Sequence, residues 1–345
     1  MKEKTSRKAG LFVRGSDGIG GLRAAACLGI VVMHVFANSP CAPSEPWYAR
    51  IVGSFTDLVF LFMVISGYGM CCGYYKKIMT QQISMEDFYR RRYSRVLPFF
   101  AFLVLLDLIV SPSLSSLCEG FADLTLLFGF FPEKEIRVVG VGWYLGLTFA
   151  FYLIFPFFCV LLKNRKRAWA SMVILTVLNR VCDRYFHLGR TNLAFSLCYF
   201  MAGGMIFLYR EELTRFSRKY GWIVGLCAAA AAALYFMIGS SACLLLILNS
   251  ALVVFAIGRS GGLLCSRAAS FFGALSMEIY LSHMAVFRAA ERLRLTTLFS
   301  NVWLQQLFLV LFTFLGSAAF AFVWNQAAAY LASRVSARRN LSGAK

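Results

Sequence analysis

Charge is scarce in this sequence. Charged residues make up 15% of 345 positions, and only 16 of them are acidic. A soluble domain usually carries about 25%, so an ordinary soluble enzyme is a poor fit. A disordered chain is excluded too, because it needs low hydrophobicity. Eleven cysteines are present, but Cys27, Cys71, Cys72 and Cys159 sit inside apolar runs, where cysteine acts as a small hydrophobe. No zinc-type spacing and no disulfide framework emerges, so no metal is expected. There is also no fixed-period repeat and no long water-soluble insertion.

What is present is apolar. Hydrophobic residues reach 59%, with 34 Phe. A membrane-crossing helix needs about 20 such residues. Ten segments approach this: 21–38, 53–75, 96–111, 140–162, 168–182, 191–209, 221–239, 242–258, 270–287 and 302–331. The expected fold is therefore an all-α polytopic membrane protein of about ten transmembrane helices with both termini cytoplasmic. The stretch 121–131 is apolar but brief and is assigned as non-spanning. The organisation that follows is a basic tail over 1–20, a membrane domain over 21–331 and a second basic tail over 332–345. The first apolar run lacks a small-residue cleavage signal and is expected to be retained as a helix.

The net charge of +19 would suggest nucleic acid in a soluble protein. Here the basic residues fall between apolar runs. Of 35 Lys and Arg, 26 lie in the parts placed inside, against 6 acids. Basic residues on the inner side set the orientation of such proteins. No nucleic-acid partner is expected, and membrane lipids are.

The polar residues inside the apolar segments are the informative ones, because ionisable groups in a bilayer are costly unless they face a protein interior or a wet cavity. Arg23 and His34 are eleven residues apart, close to three helical turns, and so share a face about 16 Å apart along the axis. Asp57 begins the second segment near the level of His34 and is a candidate to orient the imidazole. Glu278 and His283 lie in GALSMEIYLSHMAVF; being five apart, they share a face poorly. His187, in DRYFHLGR, is expected to be solvated. Arg92 and Arg95, in FYRRRYSRVLPFF, lie three apart on one helical face just before Pro98, which is expected in the first turn of the third segment. Guanidinium groups so placed suit phosphate oxygens. Lipid-headgroup anchoring is the plainer alternative for them. Ser66-Gly-Tyr-Gly69 offers small residues for close helix approach.

Taken in order, these segments resemble the acyltransferase-3 family of integral membrane O-acyltransferases. Arg23 and His34 match its arginine–histidine motif, and VFLFMVISGYGM, residues 59–70, is similar to its second-helix signature. Arg92, Arg95 and Pro98 match R-x-x-R-x-x-P. Trp143 and Leu145, then Phe151, Tyr152 and Pro156, match W-x-L followed by F-Y-x-x-x-P. Residues 273–287 resemble the late S-x-x-x-Y-L-x-H helix. One departure stands out: an acidic residue often follows W-x-L, and here the position is Thr148. The sequence also lacks the soluble domain of longer members, so the short form is expected.

The resemblance implies transfer of an acetyl or other short acyl group from acyl-CoA to a hydroxyl of a cell-surface or exported carbohydrate. Acyl-CoA would be a donor substrate, with no permanently bound cofactor. Arg23, Arg92 and Arg95 would hold its phosphates. His34 would act as general base, with Asp57, Glu278 and His283 in supporting catalytic roles. The acceptor would be a carbohydrate or lipid-linked glycan, and association with surface-polysaccharide machinery is open. The setting would be a bacterial cytoplasmic membrane. A transporter or flippase for a glycan or lipid-linked intermediate is the main alternative; a membrane glycosyltransferase or a structural protein is weaker.

Overall fold

The computed structural model describes residues 18–125 and 139–342, with side chains as far as Arg334. Most of the expected N-terminal tail and the stretch 126–131 therefore lie outside the described residues. Among the described residues the secondary structure is entirely helical. The helices are α1 (Ile19–Asn38), α2 (Pro46–Ser54), α3 (Leu58–Met70), α4 (Met85–Val110), α5 (Leu114–Thr125), α6 (Trp143–Leu162) and α7 (Arg165–Arg184). They continue with α8 (Leu193–Leu208), α9 (Arg210–Ile238), α10 (Ala242–Ile257), α11 (Arg267–Ala274), α12 (Ser276–Arg292) and α13 (Val302–Ser342). A π-turn, Cys71–Tyr75, extends α3 into a last short turn, Lys76–Met79.

The helix starts are written locally. Ser84, Asn164, Asn192 and Ser266 accept backbone N–H bonds at the heads of α4, α7, α8 and α11, satisfying donors that a helix start leaves open. Glu86 and Asp87 add negative charge to the first turn of α4, where the helix dipole favours it. At the far end of α9, Gly239 takes a left-handed φ of 94° and stops the helix, a conformation that suits glycine.

Helix α3 is the hub. Every residue from Val59 to Ile65 is buried, so this helix is enclosed on all sides. It packs chiefly on α8 and also on α1. The α3–α8 crossing is backbone on backbone: a Cβ on Gly67 would lie 2.2 Å from the Phe200 carbonyl oxygen, and one on Gly203 would lie 2.1 Å from that of Val64. Gly69, the other small residue of the motif, has nothing within 4 Å. Helix α1 is tied to α11 in the same way, since a Cβ on Gly273 would meet the Gly20 carbonyl oxygen at 2.0 Å.

The expected ten crossings are corrected to six. Among the described residues, the helices long and apolar enough are Ile19–Asn38, Pro46–Met79, Met85–Val110, Trp143–Leu162, Arg210–Ile238 and Val302–Arg334. Helices α8 and α10 have 16 residues each, about 24 Å of rise against a hydrocarbon core of about 30 Å. Helix α7 is long enough but carries Arg165, Lys166 and Arg167 at one end and Arg180, Asp183 and Arg184 at the other. Helix α12 contains Glu278, His283, Arg288, Glu291 and Arg292. The segments drawn from the sequence, 168–182 and 270–287, take in Arg180, Glu278 and His283 and leave out the other charges. Pro98 is also displaced from its expected place: α4 begins at Met85, so Pro98 lies well inside the helix.

Helix α5 lies beside α4 and exposes Phe121 and Leu117 while burying Asp123. Both Asp123 carboxyl oxygens lack hydrogen-bond partners among the described residues. Burial pushes this carboxyl up to about 8, and Glu119 and Asp107 act in the same direction. A raised pKa means that the folded state holds the proton more tightly. The contribution to stability is complete below about pH 4 and is lost as pH rises through about 8. The thermal midpoint of the native protein in detergent is therefore expected to fall from about pH 6 to about pH 9, and Asp123→Asn is expected to flatten that fall. An equal fall in both proteins would refute the assignment.

Candidate active site

Two polar layers lie between α1, α12 and their neighbours. In the first, Arg23 on α1 interacts electrostatically with Arg95 on α4, Glu278 on α12, and Tyr144 and Tyr152 on α6. Arg23 Nε and Glu278 Oε2 are buried without partners among the described residues. Arg23 thus has one carboxylate and one other guanidinium among its electrostatic neighbours. Nearby, Arg92 donates to the Tyr74 hydroxyl at 2.7 Å and lies 4.6 Å from the Tyr74 ring and 5.9 Å from that of Tyr152. Its Nε is also buried and unpartnered. Arg95 is exposed. This layer has excess positive charge and unused donors, the requirement for holding an anion such as a phosphate.

In the second layer, His34 and His283 meet with ring centroids 4.9 Å apart. His34 Nδ1 lies 3.0 Å from the Ile30 carbonyl oxygen, and His283 Nδ1 lies 2.6 Å from that of Tyr280. A carbonyl only accepts, so each Nδ1 carries the proton and each Nε2 presents a lone pair when the ring is neutral. His34 is half-buried. His283 is fully buried, and its Nε2 has no partner among the described residues. Paired imidazoles of this kind are suited to taking a proton from a hydroxyl.

Between the layers lies an aromatic cluster. Tyr144 and Ser66 share a hydroxyl hydrogen bond of 3.1 Å that joins α6 to α3. Tyr280 packs edge-on against Tyr144 at 5.7 Å, and Phe62 approaches both rings. Thr148, the position that departs from the motif, is buried and donates to the Tyr144 carbonyl at 2.8 Å. It positions the tyrosine backbone and supplies no acid.

The structure brings together Arg23, Arg95 and Glu278 in one layer and His34 with His283 in the other. It does not bring Asp57 to His34. Asp57 Oδ2 accepts from the Tyr235 hydroxyl at 2.8 Å, while His34 Nδ1 is taken by its own helix. His187 is exposed with a φ of 51°. Arg190 was not singled out by sequence reasoning, yet it interacts electrostatically with His34, Asp57 and Tyr280. Nothing in the motif order marks it, because it sits in a short connection beside other charged residues.

Comparison with known proteins agrees with this arrangement in extent. The model of a family described as an acyltransferase domain matches residues 16–322. Among curated proteins, the O-acetyltransferases OatA of Staphylococcus aureus strains NCTC 8325 / PS 47, COL and MRSA252 are each 29% identical over 167 residues. Those matches cover 43% of this chain and 25% of each relative. The chain thus spans about a quarter of the length of the curated relatives it matches. No solved structure matches it.

Proposed function

The chain belongs to the acyltransferase-3 family, and from that premise we propose that it moves an acetyl or other short acyl group from acyl-CoA to a hydroxyl of a cell-surface or exported carbohydrate. The observation that carries the reading is the two-layer arrangement: a cationic layer with unused donors, linked through packed aromatic side chains to a pair of imidazoles. Arg23, Arg92 and Arg95 hold the phosphates of the donor. The acyl thioester reaches past the packed Tyr144 and Tyr280 rings. His34 Nε2 takes the proton of the acceptor hydroxyl as its oxygen bonds the acyl carbon, and the CoA sulfur leaves. His283 packs at a tilt against His34 and limits its movement, and Glu278 balances the charge of Arg23. The basic end of the bundle faces the cytosol by the positive-inside rule, so the donor mouth is inward, and the likeness to bacterial relatives supports the bacterial cytoplasmic membrane as its setting.

The test is label transfer from radiolabelled acetyl-CoA in purified membranes given an envelope glycan extract, with succinyl-CoA as the second donor. The native protein is expected to place label in an alkali-labile glycan ester. The double variant Arg92→Gln, Arg95→Gln is expected to weaken CoA binding by about 10-fold or more, since each charge-assisted contact contributes about 1.5–3 kcal/mol. Absence of transfer from both donors by folded protein would favour a transporter or flippase instead. Unchanged CoA binding in the double variant would remove the phosphate assignment.

A further inference from the structure

The end of the bundle remote from Arg92 and Arg95 carries arginines that form no ion pair among the described residues. Arg190, in the connection between α7 and α8, donates to the Thr56 hydroxyl and lies 3.5 Å from the Thr56 carbonyl oxygen. Its guanidinium stands 5.5 Å from the Trp143 ring centroid. Arg180 donates to Ser241 Oγ at 2.8 Å, and Arg50 donates to the Phe236 carbonyl. Asp57, at this level, accepts from a tyrosine hydroxyl rather than from a guanidinium. Among the described residues none of the three arginines forms an ion pair.

This departs from what membrane proteins usually do with such charge. A partly buried cation is normally matched by an anion, because removing its hydration is costly. Arg190 is half-buried; its hydrogen bonds go to neutral oxygens and its guanidinium faces an indole, while Asp57 acts on it through space with no ion pair among the described residues. A guanidinium has five N–H donors in a planar fork that fits carboxylate and phosphate oxygens. Thr56 engages one edge of that fork, which fixes its orientation without using its charge. Tyr199, which interacts with both Arg180 and Asp57, has a buried hydroxyl with no partner among the described residues. The region is thus polar, cationic and incompletely satisfied, and through Arg190 it reaches the reacting imidazole.

We propose that Arg190 is the anchor for an anionic group on the acceptor, so that the carbohydrate acylated here is an acidic one, bearing carboxylate or phosphate, rather than a neutral glycan. The inference rests on the reading of His34 as the base that activates the acceptor hydroxyl. Arg190 binds the anion, Trp143 offers a flat apolar face to the sugar ring, and the hydroxyl to be acylated lies toward His34. The acceptor then approaches from the end opposite the donor.

The experiment measures binding of three labelled oligosaccharides of equal length to the full-length protein in neutral detergent: an all-glucose oligomer, one containing glucuronate and one substituted with phosphate. The native protein is expected to bind at least one charged oligomer about 10-fold more tightly than the neutral one. Arg190→Gln is expected to bring that oligomer to the neutral value while leaving binding of radiolabelled CoA unchanged. On the native protein, raising salt from about 50 mM to about 500 mM should remove most of the preference, as screening requires. Which charged oligomer is preferred identifies carboxylate or phosphate as the recognised group. Equal binding of charged and neutral oligomers by the native protein overturns the proposal, as does a preference that survives in Arg190→Gln. The native comparison and the salt series need no variant to fold. Loss of label transfer with the acid preference intact would refute acyl transfer and leave the anchor standing; transfer without the preference would do the reverse.

Discussion

Replacing His34 by glutamine is expected to lower kcat for acyl transfer by about 10²- to 10⁴-fold, the usual contribution of a positioned general base. Glutamine keeps a polar side chain in a half-buried position, so the fold should survive. Its amide cannot accept a proton at neutral pH. The loss should fall equally on kcat and kcat/KM, because the lost interaction is made in the transition state. CoA binding should not change, since the cationic layer sits about 16 Å along α1 from His34. Turnover kinetics with labelled donor, together with a CoA binding isotherm on the same preparation, checks both statements. Full turnover by the variant would sink the base assignment. A parallel loss of CoA binding would mean that the two layers are not separate.

The second large effect concerns the α3–α8 crossing. Gly203→Ala places a Cβ 2.1 Å from the Val64 carbonyl oxygen and 2.6 Å from the Tyr68 backbone nitrogen. These are backbone atoms, so no rotamer change relieves the clash and the helices must separate. Overpacking usually costs about 1–3 kcal/mol, and a clash with backbone on an enclosed helix belongs at the top of that range. Gly67→Ala meets the Phe200 carbonyl at 2.2 Å and should behave alike. Gly69→Ala, one turn end away with nothing within 4 Å, supplies the control of opposite sign. It should stabilise slightly, because alanine favours a helix over glycine by about 0.5–1 kcal/mol. Thermal loss of the monodisperse peak in detergent should rank the four proteins with Gly69→Ala highest and the two crossing variants lowest. Equal midpoints for Gly69→Ala and Gly203→Ala would show that the crossing is not tight.

The helical, membrane-embedded character was legible because it rests on composition, and the shared face of Arg23 and His34 was legible because it rests on a local period. What spacing alone misjudged is tertiary. Glu278 and His283 share a face poorly, and the structure gives them separate tasks: Glu278 interacts with Arg23, and His283 packs on His34. Asp57 starts at the level of His34 in sequence, but Tyr235, 178 residues away, takes its carboxylate. No local pattern announces that contact. Arg190 was hidden for the same reason, since its partners Thr56 and Trp143 lie far off in the chain. The count of crossings failed differently: apolar segments of 15 to 19 residues were accepted as crossings, and single charges such as Arg180 and Glu278 were averaged away within them. Pro98 was misplaced because the acidic first turn and serine cap that begin α4 lie outside the apolar run used to find it.

Helix α1 carries both layers on one rigid rod pinned at Gly20 against Gly273, and this limits which changes of length the chain can accept. At 100° per residue, eleven steps return the side chain to within about 20° of its starting direction. One deletion or one insertion between Arg23 and His34 turns the imidazole about 100° away from α12, in opposite senses. The side chains within that interval are free to vary wherever they face lipid or packing tolerates it. The number of residues is not, so this stretch is closed to insertion and deletion even where it is open to substitution.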